Sequence, residues 1–596
     1  MKREKRRPKI KSSIELHPNE TEKLCKYINT LSVSANIHKN RGFLLSCLHK
    51  AQHLYGHIPR GIQILIAEKL RLNLSDVSAL VSFYSFFSEK PLGKNAVYVC
   101  NDIIDKMFGV EKVDKVFEKE LGIKFNEITK DKKFSLHHTP CIGMCDQAPA
   151  ALINSTVITN LNSEKVRDIT NKLKNNEIGE IVYSYGDGNN AHPLIHSMVN
   201  NNIRKKSVII FSDYVSGNAL RHALNMLPEE IIASIKESQL RGCGGAGFPA
   251  GLKWEITKNA GDPQKEIICD ADEGEPGTFK DRVLLTECSD LLFEGMTIAG
   301  YAINADTGIL YLREEYEYLK KFLEDKLKKR RKNNLLGNNI CPEQNINSFK
   351  FDIRIQMGAG SYICGEESAL INSCEGLRGA PKERPPFPVQ KGYFQHPTSV
   401  NNIETYCCAC KIIENGAAWF FAIGTKHSKG TKLLSISGDC TKPGVYELPY
   451  GISVSEILKL AGAKNTLAVQ VGGPSGSLIN SKEFNRKICF EDLPTGGAVT
   501  IFNNTRNILD IVITFLEFFQ EESCGKCTSC RVGTTNLLNL LNRIYDGRGT
   551  KKDMGKLIEI GTVIKKTTFC GLGHAAANPV FCSIKNFPDE YNKYIK

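Results

Sequence analysis

The stretch Leu240–Trp254 reads LRGCGGAGFPAGLKW. Gly242, Gly244 and Gly247 match the G-x-G-x-x-G spacing of dinucleotide-binding loops, a pattern that requires a preceding strand. The segment before it, Leu227–Leu240 (LPEEIIASIKESQL), has helical periodicity instead. The glycines are therefore not read as an ordinary strand–loop–helix fingerprint. Their physics is unchanged: without a Cβ, the backbone approaches a phosphate or flat ring closely and offers N–H groups, and Lys253 supplies a positive charge.

Working outward, the strand-like EIIC is followed by Asp270-Ala271-Asp272-Glu273-Gly274-Glu275-Pro276-Gly277. So many acids in so short a loop repel one another unless hydroxyls, amides or a metal absorb the charge. Ribose or ribityl hydroxyls would do so; calcium is the rival, but the spacing is not that of an EF-hand. A third element, Gly358-Ala359-Gly360-Ser361-Tyr362-Ile363-Cys364-Gly365-Glu366-Glu367-Ser368, also follows a strand. Each could be a structural turn. Together they point to a flavin- or nicotinamide-linked redox enzyme.

The cysteines sharpen this. Glu522–Arg531 reads ESCGKCTSCR, and Cys570 lies in TTFCGLG. Cys524, Cys527 and Cys530 at C-x2-C-x2-C, with Cys570 as a distant fourth, suit a [4Fe–4S] cluster. Structural zinc prefers two separated pairs, and a thioredoxin-like C-x-x-C needs no third cysteine. Lys526 and Arg531 flank the set. Cys100, Cys141 and Cys145 form a second group, three thiols where a [2Fe–2S] cluster uses four ligands. Two readings stand there: a cluster, or a domain that has lost one and kept small apolar cysteines. Cys407, Cys408 and Cys410 diverge around a helix and read as core packing.

A chain of 596 residues implies about three to five domains. Its 41% hydrophobic and 24% charged residues exclude wholesale disorder. The net charge of +13 comes mostly from residues 1–11 and from Lys326, Lys328, Lys329, Arg330, Arg331 and Lys332. These are read as a frayed tail and a solvated helix end, so no nucleic-acid face is required. No uninterrupted apolar run reaches membrane-spanning length, and no apolar h-region follows the N-terminal charges. The odd total of 21 cysteines argues against a closed disulfide set and for a cytoplasmic location.

The expected organisation is a basic tail (1–19), an α/β domain with N-terminal helices (20–175), a linker (176–205), a longer α/β domain (206–425), a β-rich segment (426–506) and a helical, cysteine-bearing end (507–596). Within 206–425, VIIFSDY reads as a strand and 218–238 as one helix.

RGCGGAGFPAGLKW, DADEGEPGTFKDR, GAGSYICGEESAL, PTSVNNIET and ESCGKCTSCR, followed by CGLG, resemble the NADH-binding flavoprotein subunit of respiratory complex I and its relatives. Order and spacing match over about residues 206–585. Residues 20–165 resemble that complex's small thioredoxin-like iron–sulfur protein, fused in front. With HLYGHIP, YSFFSEKPLGK, TPCIGMCDQAPA, FDIRIQMGAG and AVQVGGPSG, the fused chain is most similar to the diaphorase alpha subunits of cytoplasmic NAD-reducing [NiFe] hydrogenases.

The resemblance implies an α/β multidomain fold: a thioredoxin-like domain, a Rossmann-like FMN/NADH domain, a structural ubiquitin-like β-grasp domain and a helical bundle with the cluster. It implies FMN held by Gly242, Gly244, Gly245, Lys253, Asp272, Tyr362, Gly365, Glu366, Asn401, Asn402 and Thr405. Phe248 would stack on NAD(H), with Glu273, Glu275 and Glu367 lining the nucleotide side. Glu275 would receive ribose hydroxyls and repel a 2′-phosphate. Cys524, Cys527, Cys530 and Cys570 would hold the [4Fe–4S] cluster.

Three departures stand out. Cys243 replaces the family's loop arginine, so the pyrophosphate contact there is weakened or supplied elsewhere. Asp270 replaces an asparagine, which puts one expected flavin hydrogen bond in question. Asp105 stands where the second N-terminal cysteine belongs, leaving an oxygen ligand as the route to a [2Fe–2S] cluster.

The expected function is hydride exchange between NAD(H) and FMN, with single electrons passing through the [4Fe–4S] cluster. The expected partners are a ferredoxin-like iron–sulfur subunit and the small and large subunits of a [NiFe] hydrogenase module. No protein side chain is expected to act as catalytic acid, base or nucleophile. The alternatives are the corresponding component of a complex I-like dehydrogenase or an NAD-dependent formate dehydrogenase, and, in a different class, a non-catalytic iron–sulfur scaffold that has lost flavin.

Overall fold

The structure, a computed structural model, describes residues 18–34, 36–175, 199–344 and 349–595. The expected basic tail up to residue 17 and most of the expected linker (176–198) lie outside them. Pro18 already opens a helix, Pro18–Asn29.

The N-terminal helices Leu44–Tyr55, Arg60–Leu70 and Leu74–Val81 each carry an apolar stripe. The stripe does not close on itself. Leu45, Leu48, Ile62, Ile66 and Leu80 share one core with Ile268, Ile309, Ala359 and Leu370, from residues far downstream. These helices therefore pack on the central sheet described below.

Next comes a mixed sheet of β1 (Asn95–Cys100), β2 (Glu127–Ile128), β3 (Phe134–Thr139), β4 (Ala151–Ile153) and β5 (Thr156–Ile158), in the order β2-β3-β1-β4-β5. Strand β1 runs parallel to β3 and antiparallel to β4. Helices Val110–Leu121 and Ser163–Lys174 pack on one face through Val113, Phe117, Val166 and Ile169.

Strand β6 (Ile203–Lys205) falls at the end of the expected linker but pairs with a much later strand, Gly444–Pro449. The central sheet is parallel: β7 (Glu266–Ala271), β8 (Thr307–Leu312), β9 (Asp352–Met357) and β10 (Thr398–Asn402), in the order β10-β7-β8-β9. The apolar runs of β7 and β8 are buried, as strands covered on both faces must be. Helix Ser289–Ile303, buried almost throughout, lies beside helix Ile403–Asn415. Cys407, Cys408 and Cys410 of the latter are completely buried, which agrees with their reading as core packing. Because all four strands run the same way, the loops after β7, β9 and β10 emerge along one sheet edge, where open parallel sheets bind ligands.

The remaining strands, β11 (Thr431–Gly438), β12 (Gly444–Pro449), β13 (Thr466–Val471), β14 (Ser477–Asn480) and β15 (Ala498–Asn503), join β6 in a six-stranded mixed sheet. Helix Val454–Ala461 covers it, its N-terminus closed by a Ser453/Glu456 capping box. Helices Ile508–Glu521, Thr528–Arg543, Lys551–Thr567 and Asn578–Asn586 form the C-terminal part.

Three local expectations are corrected. Val208–Tyr214 is not a strand. The N–H groups of Ser207, Ile209, Ile210 and Phe211 all donate to the carboxylate of Glu447, at 2.8–3.2 Å, so a distant side chain replaces a ladder partner. The helix expected over 218–238 is two helices, Asn218–Leu224 and Pro228–Glu237, because Pro228 cannot continue the first. The basic run after Asp325 is not simply solvated. Arg330 is 1% exposed and pairs with Glu294 (3.4 Å) and Asp290 (3.5 Å), while Arg331 pairs with Asp352.

Candidate functional site

The glycine-rich loop ahead of helix Ala250–Asn259 closes on itself. Gly242 N–H donates to the carbonyl of Phe248 (2.9 Å), and Arg241 Nε to that of Gly247 (2.7 Å). Gly247 has φ +66°, and a Cβ there would meet the Phe490 ring at 2.3 Å, so only glycine fits. Arg241 stacks on the same ring at 4.4 Å. Gly245 faces open space: a Cβ on it would meet nothing within 4 Å. Phe248 stands at the rim, 44% exposed.

Helix Ala250–Asn259 continues the loop and brings Lys253 and Trp254 to β10. Lys253 Nζ donates to the carbonyl of Val400 (2.9 Å) and to Glu367 (3.2 Å). Trp254 Nε1 donates to Asn401 Oδ1 (3.0 Å). Thr405 Oγ accepts the N–H of Cys243 (2.9 Å). Asn402 caps helix Ile403–Asn415 by accepting from Glu404 N–H (3.1 Å), and its amide donates to Asp281 (2.7 Å).

Beneath this floor lies a buried charge network. Lys280 pairs with Asp281 (2.6 Å) and Glu404 (3.1 Å), and Lys432 pairs with Glu404. Burial works to raise the Glu404 carboxyl, but Lys432 and Lys280 overcome it and hold the group below its ordinary range. Lys432 also donates to the carbonyl of Cys243 (3.1 Å). The Cys243 thiol is buried against Cys408, so this side chain brings no charge to the loop, and the cation there is Lys432 at its carbonyl.

The acidic loop divides by role. Asp270 accepts the N–H of Asp272 (3.0 Å), and burial pushes its carboxyl up to about 7. Glu273 is buried. It caps helix Lys280–Glu287 through the N–H groups of Asp281 (2.8 Å) and Arg282 (3.1 Å), and it accepts from Tyr316 Oη (2.8 Å). Glu275 accepts from Tyr362 Oη (2.5 Å) and from Ser475, and burial pushes it up to about 7.

Two acceptors are left over. Oδ2 of Asp272 and Oε1 of Glu366 are buried without a hydrogen-bond partner, although Glu366 Oε1 lies 3.6 Å from the Arg384 guanidinium and Oε2 caps helix Glu367–Cys374. Burial raises the Asp272 carboxyl well above its ordinary value. Buried acceptors are almost always satisfied in native proteins. Gly365, whose Cβ would come 3.4 Å from the carbonyl of Asp272, closes the same corner. Two unsatisfied acceptors, an open glycine tip and Lys253 along one edge fit a polyhydroxylated, phosphorylated flat-ring ligand such as FMN.

At the C-terminal end, Cys524, Cys530 and Cys570 are buried and Cys527 is half-buried. Cys527 and Cys570 stand at the N-terminal caps of two helices, Thr528–Arg543 and Gly571–Ala575. Burial, reinforced by Cys524, Cys530 and Cys527, pushes the Cys570 thiol up to about 11, so all four thiols lie within electrostatic reach. Arg378 donates to the carbonyl of Cys524 and Arg531 to that of Gly525. Lys526 reaches the carbonyl of Pro381 (2.9 Å). Four cysteines with Arg378, Lys526 and Arg531 around them suit a negatively charged iron–sulfur cluster.

The N-terminal thiols also come together. Cys141 Sγ lies 3.3 Å from Cys145 Sγ, and Cys100 is hydrogen-bonded to Asp105 and next to Cys141. Asp105 accepts the N–H of Ala150 (2.9 Å), and burial pushes it up to about 8. The set offers three thiols and one carboxyl.

Sequence reasoning missed several residues of this region. Arg313 joins the two halves, donating to the carbonyls of Cys141 (2.7 Å) and Glu273. Glu522 accepts the N–H of Tyr362 (2.8 Å), tying the cysteine loop to the second glycine loop. Ser475 comes from the six-stranded sheet. The GGPSG turn that carries it is visible in the sequence; its destination is not.

Three family models match the chain: thioredoxin-like [2Fe-2S] ferredoxin over residues 31–174, the Nuo51 FMN-binding domain over 235–411 and the NADH-ubiquinone oxidoreductase-F iron-sulfur binding region over 510–594. The alpha subunit of the NAD-reducing hydrogenase HoxS of Cupriavidus necator is 45% identical over 561 residues, 94% of this chain and 93% of that protein. The HndC protein of the NADP-reducing hydrogenase of Solidesulfovibrio fructosivorans is 41% identical over 63% of this chain and 78% of its own. An F-type component of the NADH-quinone oxidoreductase of Rhizobium meliloti is 39% identical over 65% of this chain and 94% of its own. A chain in the crystal structure of an NAD+-reducing [NiFe]-hydrogenase in the H2-reduced state superposes with a TM-score of 0.86, at 35% identity, covering 94% of this chain and 93% of its own.

Proposed function

This chain belongs to the family of NAD-reducing hydrogenase alpha subunits and the F-type components of NADH-quinone oxidoreductases, and from that premise we propose that it is the NAD(H)- and FMN-binding diaphorase subunit of an NAD-reducing hydrogenase. The observation that carries this reading is the buried, unsatisfied acceptor on Asp272, with Glu366 Oε1 also lacking a hydrogen bond and facing only Arg384 at 3.6 Å, in a site that also has an open glycine tip at Gly245. FMN, when bound, supplies two-electron exchange with NAD(H) and one-electron exchange with the cluster.

The chain's own residues do the rest. Gly242, Gly244, Gly245 and Gly365 admit the ligand closely, and Lys253 offsets its phosphate charge. Asp272 and Glu366 accept from its hydroxyls, while Asn401, Asn402 and Thr405 fix the floor. Phe248 at the rim offers a face to the nicotinamide nucleotide, and Glu275 and Glu367 its acidic side. Cys524, Cys527, Cys530 and Cys570 hold the [4Fe–4S] cluster. The domain limits given above, with a Rossmann-like central unit and a ubiquitin-like six-stranded unit, are part of this proposal.

The match over 94% of the chain to the alpha component of a hydrogenase favours a hydrogenase module as partner over complex I-like or formate dehydrogenase modules; the F-type components of NADH-quinone oxidoreductases match only about two thirds of this chain. No helix among the described residues is long and apolar enough to cross a membrane. A cytoplasmic site of action accords with the 21 free cysteines.

The test is to purify the chain, quantify flavin and iron, and assay NADH oxidation with an artificial acceptor. FMN at about one per chain with NADH-dependent reduction is expected. Absence of both would leave the scaffold reading.

A further inference from the structure

The six-stranded sheet carries a short turn, Gly472–Gly476, between β13 and β14. Gly473 has φ +62°, and a Cβ on it would lie 2.5 Å from the Glu275 side chain, so the turn is pressed against the acidic loop. At its apex Ser475 gives both of its donors to one carboxylate: its N–H to Glu275 Oε1 (2.9 Å) and its hydroxyl to Glu275 Oε2 (3.1 Å). Tyr362 Oη donates to the same Oε2 (2.5 Å) and lies 2.8 Å from Ser475 Oγ. The carbonyl of Ser475 is held in turn by Asn578 Nδ2 (2.7 Å), at the start of a C-terminal helix. Ser475 thus touches the acidic loop, the second glycine loop and the C-terminal helix Asn578–Asn586 at once.

We infer that Ser475 is a positioning residue for nucleotide recognition, its hydroxyl and N–H fixing the rotamer of Glu275 so that the carboxylate faces the ribose hydroxyls of NAD(H). The six-stranded sheet is then part of the nucleotide site and not scaffold alone. This rests on the reading of Glu275 as a nucleotide contact. A carboxylate on a mobile side chain loses rotamer entropy when a ligand engages it, whereas one already clamped by three donors has lost it on folding. Removing the hydroxyl leaves the N–H and Tyr362, so the clamp is weakened and not abolished.

The test uses the full-length chain with its cofactors, NADH and an artificial acceptor. Ser475→Ala is expected to raise the KM for NADH about threefold, a fraction of one side chain's rotamer entropy because two of the three donors remain, with kcat changed less than about twofold. Ser475→Thr, which keeps a hydroxyl, is expected to restore most of the loss. In a Glu275→Gln background the Ser475→Ala step is expected to add little, because the two residues act as one unit. Flavin content and thermal midpoint are measured on each variant to separate positioning from folding. If Glu275→Gln raises KM but Ser475→Ala does not, or if the two changes simply add, the positioning role is overturned while the diaphorase reading stands. If neither raises KM, the nucleotide role of Glu275 itself fails.

Discussion

Replacing Asp272 by alanine should weaken FMN binding and stabilise the flavin-free protein, two effects of opposite sign. In the flavin-free chain the Asp272 carboxyl is buried, its Oδ2 lacks a hydrogen bond, and burial raises it well above its ordinary value. An unsatisfied buried acceptor costs about 1–3 kcal/mol, so Asp272→Ala removes a penalty of that order. The holo protein behaves in reverse. A hydrogen bond to a carboxylate contributes roughly 1.5–3 kcal/mol, so its loss should raise the FMN Kd roughly 10- to 100-fold. The pH dependence follows from the sign of the shift. A carboxyl raised on folding contributes stability that is full below its unfolded value near 4 and lost as the pH rises. Asp270, Glu273 and Glu275, each pushed up to about 7, share that direction. The stability advantage of Asp272→Ala over the parent should therefore grow from pH 5 towards 8. Flavin fluorescence titration gives Kd, and thermal melts of flavin-free protein across pH give stability. A variant that melts lower than the parent at neutral pH, or that binds FMN within twofold of it, refutes the assignment of Asp272 as a ligand acceptor held unsatisfied for that purpose.

The other expectations are simpler. Cys527→Ser should abolish the [4Fe–4S] electronic signal and most bound iron; full retention of the signal would remove Cys527 from the ligand set. Three thiols and a carboxyl do not make the usual four-thiolate [2Fe–2S] set, so the parent should carry about four irons per chain and Asp105→Cys about six; six in the parent would instead make Asp105 an oxygen ligand. Arg282→Met breaks a fully buried pair with Asp146 (3.0 Å) and should cost about 3–5 kcal/mol in denaturant unfolding; a loss below about 1 kcal/mol would show that Asp146 finds other partners.

What the sequence reveals and what it hides divide by range. The strands EIIC, GILYLR and FDIRIQM declare themselves through local apolar runs, and both cysteine sets through spacing. Failures come where a distant side chain overrides local preference. Val208–Tyr214 has strand composition, but its N–H groups are spent on Glu447, more than two hundred residues away. Arg330 sits in a run of cations that reads as solvated, yet Glu294 from another helix buries it. Glu273 belongs to a recognisable acidic motif. Only the position of helix Lys280–Glu287, starting a few residues later, shows that it serves as a cap. In each case the chemistry of the residue is legible and its partner is not.

The same long-range bonds explain why the parts are fused into one working unit. Tyr362 sits in the loop expected to hold flavin, and its N–H is bonded to Glu522, two residues before the first cluster cysteine. Arg378, a few residues beyond the helix that Glu366 caps, grips the carbonyl of Cys524 itself. On the opposite side Arg313, immediately after β8, spans from Glu273 to the carbonyl of Cys141. Each contact joins the central α/β unit to a cysteine-bearing loop; the Arg313 bonds are buried, those of Tyr362 and Arg378 partly so. A shift of either cysteine set relative to the sheet would break a charge-assisted hydrogen bond in low dielectric, which is costly. Electron transfer demands fixed separations between redox centres, and these bonds tie the loops expected to hold flavin to the cysteine loops.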